Sequence, residues 1–97
     1  MSIMNLDAFK ASVERDIPPE TVGLALQALW HAAKGDWETA HKVAQDDKTE
    51  LGAWVHAYLH RVEGDLSNAD YWYVKAGRSQ ASNSLQEEWR EIATALL

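Results

Sequence analysis

Apolar residues recur twice along this chain at the spacing of one helix face. Val22, Ala25, Leu26, Leu29, Trp30 and Ala33 follow i, i+3, i+4, i+7, i+8, i+11, and Leu51, Trp54, Val55, Tyr58, Leu59 and Val62 repeat the series. Each run predicts an amphipathic α-helix. Each then meets a Gly-Asp pair, Gly35-Asp36 in "GDWETA" and Gly64-Asp65 in "GDLSNA". Glycine reaches the left-handed conformation that ends a helix, and aspartate accepts hydrogen bonds from the free amides that begin the next. The pair therefore predicts a tight turn between antiparallel helices. The returning helices carry Trp37, Ala40, Val43 and Ala44 in one copy and Leu66, Ala69, Trp72 and Tyr73 in the other. The small Ala40 and Ala69 allow the two helices of a hairpin to approach closely.

Residues 22–44 laid over 51–73, an offset of 29, agree at six positions: Gly23/Gly52, Ala28/Ala57, His31/His60, Gly35/Gly64, Asp36/Asp65 and Ala40/Ala69. A third, shorter copy follows. Ser84 with Glu87 reads as a capping box, and Leu85, Trp89, Ile92, Ala93 and Leu96 restate the first-helix stripe. Leu6, Phe9 and Val13 predict a short helix before Pro18-Pro19, and Pro19 suits the first turn of the helix after it. The expectation is one all-α domain over 1–97 with about five helices, two hairpins flanked by an N-terminal and a C-terminal helix. Its repeat units fall at about 20–48 and 49–77, with a capping helix at about 84–97.

The step from Leu51 to Leu85 is 34 residues, the period of a tetratricopeptide repeat. The segment "LHRVEGDLSNADYWYVKAG" resembles tetratricopeptide and Sel1-like repeats, with Trp72, Tyr73, Lys75 and Ala76 matching their "WY-x-KA" ending. The whole chain looks like a group of small bacterial proteins of tetratricopeptide-like fold. It departs from the repeat pattern in its short first unit, in "HKVAQD" and in lacking a closing proline. The resemblance implies a helical-repeat scaffold that binds proteins. It turns Ala53, His56, Ala57 and His60 toward the second helix of the hairpin, and Trp54, Tyr58 and Arg61 toward a concave side. Periodicity alone instead buries Trp54, Val55, Tyr58 and Leu59 and leaves His56 and His60 outside. Both registers stand at this point.

Composition narrows the function. Fifteen acidic against nine basic residues give a net charge of −6, with no cluster of Lys and Arg, which argues against nucleic acid as a partner. The absence of cysteine excludes disulfides, thiolate zinc sites and cysteine nucleophiles. The opening "MSIMNLDAFKASVERD" mixes charge into its apolar residues, unlike a signal peptide, and no window has the length of a membrane span. A cytoplasmic protein without a membrane partner is expected.

The candidate binding residues are His31, Trp54, His56, Tyr58, His60 and Arg61. His56 and His60, at i, i+4, share a helix face at a spacing used by helical metal sites, and Glu63 offers an oxygen one turn on. "HAYLH" lacks the glutamate of the zinc-protease motif. His31 and His60 hold equivalent places before each glycine, which suits a histidine bonding the last carbonyls of its helix. Trp54, Tyr58, Tyr71, Trp72 and Tyr73 are either core or an aromatic patch for a partner. Ser79, Ser82 and Ser84 have no nucleophile elbow around them, and the carboxylates of "QDDKTE" suit a cap. The reading is therefore a protein-interaction or scaffold module, self-association being its simplest form, with no catalytic residues and no cofactor. The alternative is a small-ligand or metal-binding protein, a weak enzyme at most, built on His56, His60 and Glu63 with the neighbouring aromatics.

Overall fold

A computed structural model describes residues 4–97, and of the N-terminal stretch read above only residues 1–3 lie outside it. Among the described residues the chain forms six α-helices and no strand: α1 Leu6–Ser12, α2 Leu24–Ala33, α3 Trp37–Asp46, α4 Glu50–Val62, α5 Leu66–Lys75 and α6 Leu85–Leu96. This is one more than the expected count of about five: two hairpins with a helix at each end come to six. None is long and apolar enough to cross a membrane.

The two Gly-Asp turns close alike. Gly35 and Gly64 adopt φ of 79° and 80°. The amides of Asp36 and Asp65 donate back to the His31 and His60 carbonyls at 3.0 and 2.9 Å, the long bond that seals a helix ending in a left-handed residue. The same aspartates then cap the next helices, accepting from Thr39 and Asn68 amides. So the histidine contributes its carbonyl to the turn, and its ring is left free for other contacts. The shared glycine at 23 and 52 behaves differently in the two copies. A Cβ on Gly52 would lie 2.2 Å from the Asp47 carbonyl oxygen, whereas one on Gly23 would meet nothing. Helix α4 therefore starts hard against the end of α3.

Several local expectations fail: Ala33, Trp37 and Leu66, at the ends of their stripes, are exposed, and two further cases show why. Pro19 lies outside the first turn of α2, which begins five residues later behind an extended Gly23. Val22 still buries, but from the approach to the helix, where the Gln27 side chain ties its carbonyl at 3.0 Å. Leu51, at the head of the second stripe, is 47% exposed, because α4 reaches its neighbours only from Gly52 onward.

Helix α4 is the axis. Every residue from Gly52 to Leu59 is buried, since α2, α3, α5 and α6 all pack on it. Helix α6 crosses α2 and α4 and receives α1. Trp89 donates through Nε1 to the Leu29 carbonyl at 3.0 Å and stacks on Phe9 at 5.6 Å. Glu88, 1% exposed, links three elements: Arg61 on α4 pairs with it at 2.9 Å and the Tyr73 hydroxyl on α5 donates to it at 2.5 Å. The other arm of the Arg61 guanidinium donates to the Asn83 carbonyl, which fixes the connector before α6. Burial and the Glu88 bond push the Tyr73 phenol well above its usual range, so Tyr73 stays a donor.

Two stability measurements check this account. Asp65→Ala loses a helix cap and should cost about 1 kcal/mol. Gly64→Val has room for its side chain, yet forces a β-branched residue into positive φ and should cost about 1–2 kcal/mol or more. Urea melts that rank the two in the opposite order would show that the turn tolerates side chains. Glu88→Ala should be the costlier change, roughly 3–5 kcal/mol, because it strands a mostly buried guanidinium and a buried phenol. Glu88→Gln should lose less, since the amide still accepts from Tyr73; equal urea midpoints for wild type and Glu88→Ala would disprove the three-way link.

Candidate histidine centre

The turn after α2 and the short Asp47–Thr49 connection after α3 lay α3 against α4. That packing sets His41 of α3 over His56 and His60 of α4. The two α4 rings stack nearly parallel, 10° apart with centroids at 5.0 Å. The His41 ring stands edge-on to both, at 5.5 Å from His56 and 5.2 Å from His60. Trp72 of α5 covers the far face of His56 at 3.9 Å and 14°. One imidazole nitrogen from each histidine lies within 4.8 Å of the others.

Each ring is differently placed. His56 is 4% exposed, and burial, reinforced by the neighbouring His60 and His41, holds its basicity down from 6.5 to about 4. His60 Nδ1 is buried without a hydrogen-bond partner, the nearest carboxylate oxygen being Asp65 Oδ2 at 3.9 Å. His41 contacts two acceptors, the Trp37 carbonyl at 3.0 Å through Nδ1 and Glu63 at 2.9 Å through Nε2. Among the described residues His41, His56 and His60 are grouped closely enough to hold a metal, and Glu63 contacts His41.

A groove of about 610 Å³ opens beside the centre. His56, Trp72 and Ala53 line it together with Lys75, and the α3–α4 connection supplies Asp46, Asp47, Lys48 and Glu50. Thr49 caps α4, where a carboxylate of "QDDKTE" was expected to do so, and Asp47 instead holds the Thr49 amide at 2.9 Å.

The other sequence candidates lie elsewhere. Trp54 is 2% exposed and sits under the Arg78 guanidinium, 3.3 Å from its ring centre. Arg61 is committed to Glu88 and Asn83. Tyr58 is buried at the edge of a separate cavity of about 470 Å³ lined by Trp89, Arg90 and Lys10, and its phenol is pushed up to about 12 by burial and by Glu88. These three residues thus lie along the side of α4 that α6 and its connector cover. His31 stands edge-on to Trp30 at 5.1 Å and takes no part in the cluster. His41 was missing from the sequence candidates. Its signal is faint: it corresponds to Asp70 in the second unit, so the repeat alignment gives it no weight, and only the hairpin-on-hairpin packing delivers it to the pair. No family model, curated protein or solved structure matches the chain.

The depressed basicity of His56 has a stability consequence. Between about 4 and 6.5 the unfolded chain binds this proton and the folded chain does not. Stability therefore rises with pH across that window; it is full above about 6.5 and falls as pH drops toward 4, by roughly 1–3 kcal/mol. His56→Phe should flatten that part of the profile in urea melts collected from pH 7 to pH 4. An unchanged slope would mean that His56 protonates in place.

Proposed function

We propose that this chain is a small tetratricopeptide-like module that acts by binding a protein segment in the groove beside His56 and Trp72. The matching caps and turns of the two hairpins, 29 residues apart, support treating them as repeat units. The usual concave face is not the seat. Helix α6 folds back over α2 and α4, and Trp54, Tyr58 and Arg61 are used in holding it and its connector.

The observation that carries the reading is the open groove itself, with a partly buried indole at its base and carboxylates at its rim. The Trp72 ring already attracts the Lys75 ammonium, 5.7 Å from its centre. An arginine or lysine from a partner would find the same aromatic face and the carboxylates of Asp46, Asp47 and Glu50, an arrangement that favours a cation. The net charge of −6 adds long-range attraction for a basic segment.

Selection of displayed random peptides against the full chain should enrich sequences with Arg or Lys. An enriched peptide titrated into isotope-labelled protein should shift the amides of residues 44–50 and 72–75. Trp72→Ala and Glu50→Lys should each weaken binding at least tenfold, and Tyr71→Ala on the outer face of α5 should not. Peptides that shift α6 or the outer face of α5 instead would refute the groove as the binding seat.

A further inference from the structure

We infer that His41, His56 and His60, with Glu63 beside them, form a binding site for a late first-row divalent transition metal ion of the zinc or nickel kind. His56 alone of these residues also lines the groove, and the site does not depend on a peptide being bound there. Three independent features of the cluster converge on it.

The first is placement. Three imidazoles from two helices form a triangle whose centroids are 5.0–5.5 Å apart, with donor nitrogens within 4.8 Å. At metal–nitrogen distances of about 2.0–2.1 Å, neighbouring donors on one ion stand about 2.9–3.4 Å apart. The rings therefore need to close by roughly 1–2 Å to meet that spacing. His41 and His60, with side chains 23% and 17% exposed, have room to turn, while Trp72 pins His56.

The second is the bonding of His41. Both of its nitrogens face acceptors, and a neutral imidazole has a single N–H. Satisfying both contacts takes either a second proton or a cation in its place. The 2.9 Å between His41 Nε2 and Glu63 Oε1 falls within the range for adjacent ligands on one ion. With Nδ1–H anchored on the Trp37 carbonyl, Nε2 is the free donor, the usual way a second contact fixes the tautomer of a ligating histidine.

The third is Nδ1 of His60, a buried atom with no partner at hydrogen-bond distance, Asp65 Oδ2 standing off at 3.9 Å. A ligand donor site accounts for such an atom; a purely structural ring in this place would leave it unsatisfied. Three neutral imidazoles with one carboxylate suit zinc, nickel, copper or cobalt and discriminate against magnesium and calcium, which favour all-oxygen shells. The first repeat supplies an internal contrast. His31 occupies the place of His60, but Gln27 stands where His56 does, and no histidine from a neighbouring helix joins it.

The full chain, stripped with a chelator, is titrated calorimetrically with zinc and nickel in the absence of peptide. One saturable site per chain is expected, with no response to magnesium. His41→Ala and His60→Ala, each checked for native helicity, should weaken binding at least tenfold; Glu63→Gln should weaken it less, and His31→Ala should leave it unchanged. Cobalt should give the intense visible bands of a four-coordinate nitrogen–oxygen site. A wild-type chain with no saturable binding, affinity that survives both His41→Ala and His60→Ala, or cobalt absorbance no stronger than that of the aqueous ion would each overturn the inference. His56→Gln is informative if it folds; the two partly exposed histidines decide the matter if it does not. Peptide titrations into the chelator-stripped protein report on the groove separately, so either reading can fail alone.

Discussion

Everything in this fold follows from placing α4 in the middle. In a protein of 97 residues a helix surrounded on every side is costly to arrange, because each of its faces needs its own cover. Here α3 and α5 take the flank that carries His56 and His60, α2 lies alongside, and α6 takes the face with Trp54, Tyr58 and Arg61. Polar groups swept into the interior by that arrangement had to be satisfied. Arg61 found Glu88, and Glu88 found Tyr73. His56 stacked on a neighbouring indole, and burial lowered its basicity.

Much of the helical content was legible because its signals are local. The Gly-Asp turns and the Ser84 capping box each depend on a few adjacent residues and form helix boundaries where those rules put them, and the middle of each long apolar stripe is buried. The two failures at α2 and α4 have one cause. A stripe reports which residues are buried and not where the helix begins, so Val22 could be buried from outside the helix and Leu51 could head a helix in solvent. The contest between the two registers of α4 dissolved for a similar reason. Periodicity assumes one covered face and the repeat alignment another; with neighbours all round, His56 is buried where periodicity left it outside, and Trp54 and Tyr58 are buried where the repeat register sent them to a concave side.

The histidine cluster was half legible. His56 and His60 share a helix, so their proximity follows from a spacing of four. His41 reaches them only through the packing of α3 on α4, a tertiary fact set by the length of the Asp47–Thr49 connection and by the close approach at Gly52. Residues brought together this way leave no pattern in a single sequence. Likewise Trp54 and Tyr58 looked like a recognition surface because nothing in the sequence told where α6 would lie.

The stacking of Phe9 on Trp89 bears on how the molecule comes apart. An ordinary helical array is open at both ends, and it can unzip one unit at a time because each unit touches only its neighbours. Here the helix before the first hairpin rests on the helix after the second, and α6 also grips α2 through Trp89 and Leu29. Among the described residues the helices thereby close into a ring of contacts. Its cost is the entropy of closing a long stretch of chain, which grows only slowly with length. Contacts between the first and last described helices favour losing the two hairpins together over losing them one after the other.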